Sequence, residues 1–247
     1  MKIYFAGTES KPFLDVVTKA GSNKALMTYW AFKTGTSRFY NLIAEKPLDI
    51  FMDCGAYSAW SQGFTINVED YGEFILQVKD RLTVYPNLDV KGDLSATLRN
   101  QEVLESMGLH PIPVFHVNTY NWDVLQEYVN NYDYIALGAI AGESTSRDEM
   151  RKVLDKVFSI AKIGETKFHG FGLTIKDILE RYPFYSADST SWMSSVRFGT
   201  NFSGTLMEQM HINKKEHKKM LSYGVKEYMK LEKYITDLWE SRGIVWK

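Results

Sequence analysis

Residues 111–140, PIPVFHVNTYNWDVLQEYVNNYDYIALGAI, decide the fold, because they read as strand, helix and strand in that order. Apolar runs at 111–117 and 134–140 flank Trp122–Asn130, which has the apolar period of a helix. Two strands joined through a helix in this way are typically parallel neighbours in one sheet. The stretch therefore predicts an α/β fold.

The same alternation extends along the whole chain. Eight segments read as strands, at 2–7, 25–30, 48–53, 83–90, 111–117, 134–140, 167–173 and 184–188. Helical segments lie between them, at Val68–Lys79 after a cap at Asn67, Ser95–Met107, Trp122–Asn130, Arg147–Ile160 and Ile175–Arg181. Eight such units predict a parallel eight-stranded (β/α)8 TIM barrel, and the 247 residues match the usual size of that fold. A doubly wound open sheet is the alternative.

Composition limits the class of protein. With 45% hydrophobic and 24% charged residues, the chain reads as an ordinary globular protein, not as a disordered, collagenous or coiled-coil one. The net charge is -1, so a site for a polyanion must be local. The single cysteine, Cys54, excludes an intramolecular disulfide and a Cys-based structural zinc site. Without a signal peptide or an apolar run long enough for a membrane span, we expect a cytoplasmic protein and no membrane partner.

The C-terminal tail differs from the rest of the chain. Residues 211–247 contain nine Lys and Arg against five Asp and Glu. We expect residues 1–210 to form the barrel and 211–247 to form a basic C-terminal helix packed on it. Lys214 and Lys215 are candidate nucleic-acid phosphate contacts, and a solvated lysine face is the alternative reading.

Polar residues follow six of the eight predicted strands. In (β/α)8 enzymes the chemistry lies at the carboxyl ends of the strands, so these residues are site candidates. Capping of helices and formation of turns is the alternative explanation for each of them. The six strand ends carry Asp53 to Gly55, Asp89 and Asp93, His116 and Asn118, Gly138 to Glu143, His169 to Thr174, and Asp188 to Thr190.

Asp53 and Asp188 are the strongest catalytic candidates, because each closes a predominantly apolar strand. Paired carboxyl groups suit glycosidic-bond chemistry, in which one group attacks the anomeric carbon and the other manages the leaving-group proton. Cys54 beside His116 is a weaker candidate nucleophile, since a cysteine just after a buried strand is more often a small core residue.

Four motifs resemble those of queuine-type tRNA-guanine transglycosylases, in the same order and at similar spacing. Asp53-Cys54-Gly55-Ala56-Tyr57-Ser58 is similar to that family's Asp-Ser-Gly-Gly-Phe/Tyr-Gln motif. The others are GAIAGE at 138–143, HGFG at 169–172, and SADSTSW followed by RFG at 186–199. The sequences NLDVKGD at 87–93 and HPIPVFHVNT at 110–119 are most similar to those of the short, often phage-encoded DpdA-like enzymes that place 7-deazaguanines in DNA.

The resemblance implies a double displacement without a cofactor. Asp188 attacks C1′ of the nucleoside, guanine leaves, and a 7-deazaguanine base such as preQ0 enters while Asp53 moves the proton. Arg197 is a candidate phosphate contact. The residues implied or suggested as base contacts are Asp89, His116, Gly138, Ala139, Ile140, Tyr57 and His169.

One departure from the tRNA enzymes bears on the polymer. Those enzymes carry a Cys-Cys-Cys-His zinc site after the barrel, and a chain with one cysteine has no such zinc subdomain. DNA is therefore the favoured polymer and tRNA the near variant, with a helper protein as a further partner. For a phage-encoded chain, the compartment would be the host cytoplasm.

Two other classes of function stay open. One is a barrel hydrolase that uses a metal or carboxylates, for which His116 and His169 would be ligands. The other is a non-catalytic barrel that binds nucleic acid or a protein. The deazaguanine derivative, the sequence context and the oligomeric state are not specified by the sequence.

Overall fold

The computed structural model describes residues 1–44, 46–140, 146–194 and 214–246, except for the side chains of Lys214 and Lys215. The described residues contain one parallel sheet of seven strands. The strands are β1 (Lys2–Ala6), β2 (Lys24–Thr28), β3 (Asp49–Asp53), β4 (Val114–His116), β5 (Tyr134–Gly138), β6 (Lys167–Gly170) and β7 (Ser186–Ser189).

Nine α-helices lie in the described ranges, and those predicted from the sequence are found with small shifts at their ends. They are α1 (Lys11–Lys19), α2 (Ser37–Ile43), α3 (Ala56–Ser61), α4 (Val68–Val78), α5 (Leu94–Ser106), α6 (Trp122–Asn131), α7 (Arg147–Ile160), α8 (Lys176–Arg181) and α9 (Lys214–Ser241).

Side-chain caps explain where several helices begin. Asn67 caps α4 through the N–H of Asp70, as predicted. Asp93 caps α5 by accepting the N–H of Ala96, so its role as a helix cap is observed directly. Ser146 and Glu149 form a capping box at α7.

The strand order is β3-β2-β1-β7-β6-β5-β4. Among the described residues the chain therefore winds in one direction, and the first of these strands pairs with the last. A doubly wound sheet reverses its direction at a switch point, and this sheet has no such reversal. The α/β class and the parallel sheet are confirmed.

The prediction of a fourth strand at 83–90 is wrong. In its place, residue Val84 bridges Phe51 on β3, and Pro86 bridges Ile112 just before β4. Proline has no N–H to donate, which limits a regular ladder at this point. The described part of the chain has seven strands in this sheet rather than the eight expected, but one short segment is hydrogen-bonded to residues at both edges of the sheet.

Alternate strand residues fill the interior of this curled sheet. We call residues 83–87 the bridging segment. One hydrophobic cluster contains residues of β1 to β5 and of this segment, and its buried members are Tyr4, Ala6, Leu26, Phe51, Val84, Ile112, Val114 and Ala136. Val84 belongs to it together with residues of both edge strands. The side chains of a strand alternate between faces, so Asp53, two residues after Phe51, projects on this interior side.

Helix α9 packs on the outer side of β1. Val225, Tyr228 and Ile235 are buried in the same core cluster as Ile3 and Phe5. The N–H of Ile3 also donates to the Glu232 carboxylate at 2.6 Å. Within the described ranges, no helix combines the length and the apolar character needed to cross a bilayer.

Candidate active site

The carboxyl ends of the strands carry the predicted acids. Asp53 is the last residue of β3, and Asp188 lies in β7 two residues after the buried Ser186. Asp89 follows the bridging segment. Because strand ends of one parallel sheet open on one side, these three carboxyl groups face a common mouth.

Asp53 is a half-buried carboxyl group beside two others. Burial, together with the charges of Asp89 and Asp188, raises the pKa of Asp53 to about 7. The N–H of Gly55 donates to its Oδ2 at 3.2 Å and opposes that shift. A carboxyl group that titrates near neutrality can both give and take a proton, as a general acid–base requires.

Asp188 is held through one oxygen. Its Oδ1 accepts the N–H of Gly172 at 2.9 Å and lies 3.2 Å from Nε2 of His169. Its Oδ2 has no hydrogen-bond partner among the described residues. The side chain is only 11% exposed, so one oxygen is fixed while the other is available to a ligand in the mouth.

His169 is fully buried, and both of its ring nitrogens have partners. Its Nδ1 lies 2.6 Å from Oγ of Ser186, which lies 2.5 Å from the hydroxyl of Tyr134. A carboxylate only accepts, so Nε2 of His169 carries the proton, and in the neutral ring Nδ1 then accepts from Ser186. Ser186 in turn accepts from Tyr134, whose pKa is raised by burial.

This donor chain, Tyr134 to Ser186 to His169 to Asp188, has a single consistent direction. The ring of Phe51 packs on His169 with centroids 4.3 Å apart, which fixes the plane of the imidazole. His169 therefore positions Asp188, and its ring nitrogens are engaged below the surface of the mouth. Sequence reasoning missed Tyr134 and Ser186, although Ser186 is two residues before Asp188 and so shares its face.

Asp89 and His116 form a second pair. Nε2 of His116 lies 2.7 Å from Oδ2 of Asp89, and Sγ of Cys54 donates to Oδ1 at 3.4 Å. Cys54 is buried, and burial with the charges of Asp53 and Asp89 raises the pKa of its thiol well above its ordinary value. Cys54 is therefore a buried thiol donor to Asp89, which disfavours a thiolate nucleophile.

The end of β5 forms the wall against His116. A Cβ atom at Gly138 would lie 2.5 Å from Cδ2 of His116, so only glycine fits there with the ring in this position. Ala139 has a positive φ of 60°, which is uncommon for a residue with a side chain. Ala139 is exposed, whereas Ile140 is buried in the core.

The other predicted contacts are spread more widely. Tyr57 is 71% exposed on α3, and its ring contacts Trp60. Arg197, Gly142 and Glu143 lie outside the described residues, as do the side chains of Lys214 and Lys215. Among the residues that the structure describes, no three His, Cys, Asp or Glu side chains form a group able to hold a metal ion.

Glu9, just after β1, is a candidate that sequence reasoning missed. Its Oε1 accepts the N–H of Thr28, the residue in register with Asp53. Burial raises the pKa of Glu9. An acidic residue directly after the first strand was the available signal.

Comparison with known proteins adds no family to this description. No protein-family model matches the chain, and no curated protein matches it either. The function is therefore argued from the site.

Proposed function

We propose that this chain is a transglycosylase that exchanges guanine in DNA for a 7-deazaguanine base. The observation that carries the proposal is the contrast between two carboxyl groups at one mouth. Asp188 is fixed through one oxygen by Gly172 and His169, whereas Asp53 has a pKa of about 7. Two carboxyl groups with different surroundings suit the different roles of nucleophile and general acid–base.

We also interpret the sheet as a (β/α)8 barrel whose fourth strand is reduced to two bridges. The winding is unidirectional, and the hydrogen bonds of the 83–87 segment reach both edges of the sheet. The backbone N–H of Met52 donates to the carbonyl oxygen of Val84 at 2.9 Å, and the backbone N–H of Asn87 donates to that of Ile112 at 2.9 Å. In a barrel of this kind, the mouth that holds Asp53 and Asp188 is the usual position of an active site.

In the first half of the reaction, Oδ2 of Asp188 attacks C1′ of a deoxyguanosine. The bond from C1′ to N9 breaks, and its electron pair leaves with guanine, which takes a proton from Asp53. The product is a covalent ester between Asp188 and the sugar. The two donors on Oδ1 orient the carboxylate so that its other oxygen faces the sugar.

In the second half, the incoming 7-deazaguanine loses the proton on N9 to Asp53. N9 attacks C1′, the ester bond breaks, and Asp188 returns as a carboxylate. Asp53 ends protonated, as it began, so the cycle needs no outside acid. A pKa of about 7 lets the same group serve in both directions.

The Asp89–His116 pair is the proposed base-reading element. The N1–H and exocyclic amine of guanine and deazaguanine are donors, and the carboxylate oxygens of Asp89 accept more than one hydrogen bond each. His116 and Cys54 fix both oxygens in place. Gly138 and Ala139 would form the wall of the base pocket, with Ala139 at its exposed edge, whereas the side chain of Ile140 lies in the core.

The test is base exchange with purified protein. Labelled 7-deazaguanine bases are incubated with single-stranded DNA, duplex DNA and tRNA in parallel, and digested nucleosides are identified by mass. We expect label in DNA for the wild type and none for Asp188→Asn or Asp53→Asn. Asp237→Asn is a control for loss of a carboxylate away from the mouth, because Asp237 is an exposed partner of Lys233 on α9, next to Thr236, which contacts Met1 before β1.

Other outcomes assign a different function. Label in tRNA alone would transfer the proposal to the tRNA reaction. Guanine release without incorporation of a second base would favour a glycoside hydrolase that uses the same carboxyl groups. Unchanged incorporation by Asp188→Asn would overturn the covalent mechanism.

A further inference from the structure

Three large aromatic side chains lie exposed within eight residues of one another. Tyr57, Trp60 and Phe64 are 71%, 54% and 56% exposed. Large apolar side chains grouped on a surface mark a binding site more often than scattered ones do. Their segment directly follows Asp53.

Two lysines lie over rings of this group. Nζ of Lys33 is 3.0 Å from the ring centre of Trp30 and 5.0 Å from that of Phe64. Nζ of Lys91 is 3.7 Å from the ring centre of Trp60. Lys33 and Lys91 are exposed, and neither forms an ion pair with any residue that the structure describes. We call the six residues Trp30, Lys33, Tyr57, Trp60, Phe64 and Lys91 the aromatic–lysine platform.

The platform is built on the loops that carry the site. Gly55 adopts a φ of 77°, which turns the chain from Asp53 into α3, and a Cβ atom there would lie 2.7 Å from Cβ of Trp30. Trp30 therefore packs directly against the loop after Asp53. Lys91 lies two residues after Asp89. The platform is thus on the same side of the sheet as the mouth.

The chemistry of these groups fits an unpaired polynucleotide. Aromatic faces stack on bases of any sequence, and exposed lysines between them contact phosphates. A duplex offers phosphates but keeps its base faces stacked inside, so it uses only half of this surface. An acidic peptide would use the lysines and leave the ring faces that the lysines do not cover without a partner.

We propose that the aromatic–lysine platform binds single-stranded DNA beside the nucleotide whose base is exchanged. This inference rests on the proposed function and adds the state of the substrate. Chemistry on a base requires that it leave the stack, and an already unpaired strand removes that cost. The platform holds the neighbouring nucleotides while the reacting one enters the mouth.

The experiment measures binding of the full chain to fluorescent oligonucleotides of about 12 nucleotides by fluorescence anisotropy, without any deazaguanine base. The probes are single-stranded DNA, the same sequence as a duplex, and the same sequence as RNA. We expect single-stranded DNA to bind more tightly than the duplex and at least as tightly as RNA. Trp60→Ala and Phe64→Ala should each weaken binding of single-stranded DNA about 10-fold.

The lysines are tested through salt dependence. Lys33→Gln and Lys91→Gln should each lower the slope of log affinity against log salt by about 0.7 for a single strand. Lys176 and Tyr234 form a matched control, because Nζ of Lys176 lies 4.9 Å from the Tyr234 ring but also pairs with Glu180. Tyr234→Ala should leave binding unchanged. Circular dichroism confirms that each variant is folded.

The outcomes separate this inference from the proposed function. Loss of binding in the platform variants, with Tyr234→Ala binding like the wild type, supports the platform whether or not base exchange is detected. Base exchange by variants that still bind like the wild type would overturn the platform and leave the function in place. Equal affinity for duplex, or tighter binding of RNA, would also overturn it.

Discussion

Oδ1 of Asp188 lies 3.2 Å from Nε2 of His169, whose Nδ1 lies 2.6 Å from Oγ of Ser186. The donor chain behind this contact begins at Tyr134 and lies inside the curled sheet. It crosses three neighbouring strands, β5, β6 and β7. The orientation of the proposed nucleophile is therefore built into the core, where side chains have little freedom to rearrange.

Replacing Ser186 by alanine should lower the rate of the chemical step while leaving substrate binding nearly unchanged. The change removes the donor that fixes the tautomer of His169 and leaves a buried nitrogen and the Tyr134 hydroxyl without their partner. A lost buried hydrogen bond of about 1–3 kcal/mol corresponds to a rate loss of roughly 5- to 150-fold.

The measurement is single-turnover release of guanine at saturating DNA. Ser159→Ala is the control, because the Ser159 hydroxyl donates to the carbonyl oxygen of Lys156 on an exposed helix face. A drop in affinity with an unchanged maximal rate would contradict a positioning role. Tyr134→Phe should give a smaller effect in the same direction, since it removes the outermost donor only.

The fold was largely predictable because local signals agree with it. Apolar runs mark β1, β3 and β5, and caps such as Asn67 mark helix starts. The prediction of a strand at 83–90 failed because the apolar composition of a segment does not determine its hydrogen-bonding pattern. Its strand-like residues are interrupted at Pro86, and its partners, Phe51 and Ile112, are distant in sequence.

The site was predictable only in its outer layer. Asp53 and Asp188 stand at strand ends, where the sequence itself marks them. Tyr134 and Ser186 are 52 residues apart, and their contact depends on the strand order. The alternation of side chains along β7 predicts that Ser186 lies on the same face as Asp188. It does not predict that Ser186 contacts Tyr134.

Replacing Gly138 by alanine should disrupt the Asp89–His116 pair. The new Cβ atom would lie 2.5 Å from Cδ2 of His116, so the ring must move from its position against β5. We expect a loss of stability of about 1–3 kcal/mol, typical of overpacking, and weaker binding of the deazaguanine base. Calorimetric titration of the base and chemical denaturation measure the two effects.

Gly108→Ala provides a comparison for the Gly138 variant. Gly108 also lies outside a helix interior, but a Cβ atom there meets nothing within 4 Å, although its φ of 75° adds backbone strain. This variant should lose stability without losing affinity for the base. Equal base affinity in Gly138→Ala and the wild type would show that His116 does not need this wall.

Replacing Gly224 by alanine should loosen α9. A Cβ atom at Gly224 would lie 2.1 Å from the carbonyl oxygen of Trp192, and backbone cannot swing aside as a side chain can. The turn at Ser191–Met193 follows β7, so α9 packs close to the strand that carries Asp188. We expect a loss of about 1–3 kcal/mol and a fall in Tm of roughly 2–4 °C for each kcal/mol.

Lys226→Ala is the control for the Gly224 variant, since Lys226 is exposed on the same helix. It should leave the Tm close to that of the wild type. A Tm of Gly224→Ala at or above the wild-type value would mean that the helix shifts freely on the turn, and that its contact does not fix the end of β7.

Asp53 should make folding stability depend on pH in a defined window. Its pKa is about 7 in the folded protein, against an ordinary value of 3.8. Between these values the folded state holds a proton that the unfolded state has released, so stability falls as the pH rises. The difference in unfolding free energy between wild type and Asp53→Asn should fall from about pH 4 to about pH 7, by at most about 1.4 kcal/mol per pH unit, and then level off.

The same titration predicts opposite pH profiles for the two halves of the proposed reaction. Loss of guanine needs the protonated Asp53, so its rate should be constant below about pH 7 and fall above it. Attack by the incoming base needs the ionised form, so its rate should fall as the pH is lowered, with a midpoint below pH 7 because the ester removes the charge of Asp188 that raises the pKa of Asp53. Single-turnover release of guanine and, separately, reaction of the isolated covalent intermediate with a 7-deazaguanine measure each rate. Parallel profiles would contradict Asp53 as the shared acid and base, because one group cannot serve both steps without reversing its protonation state.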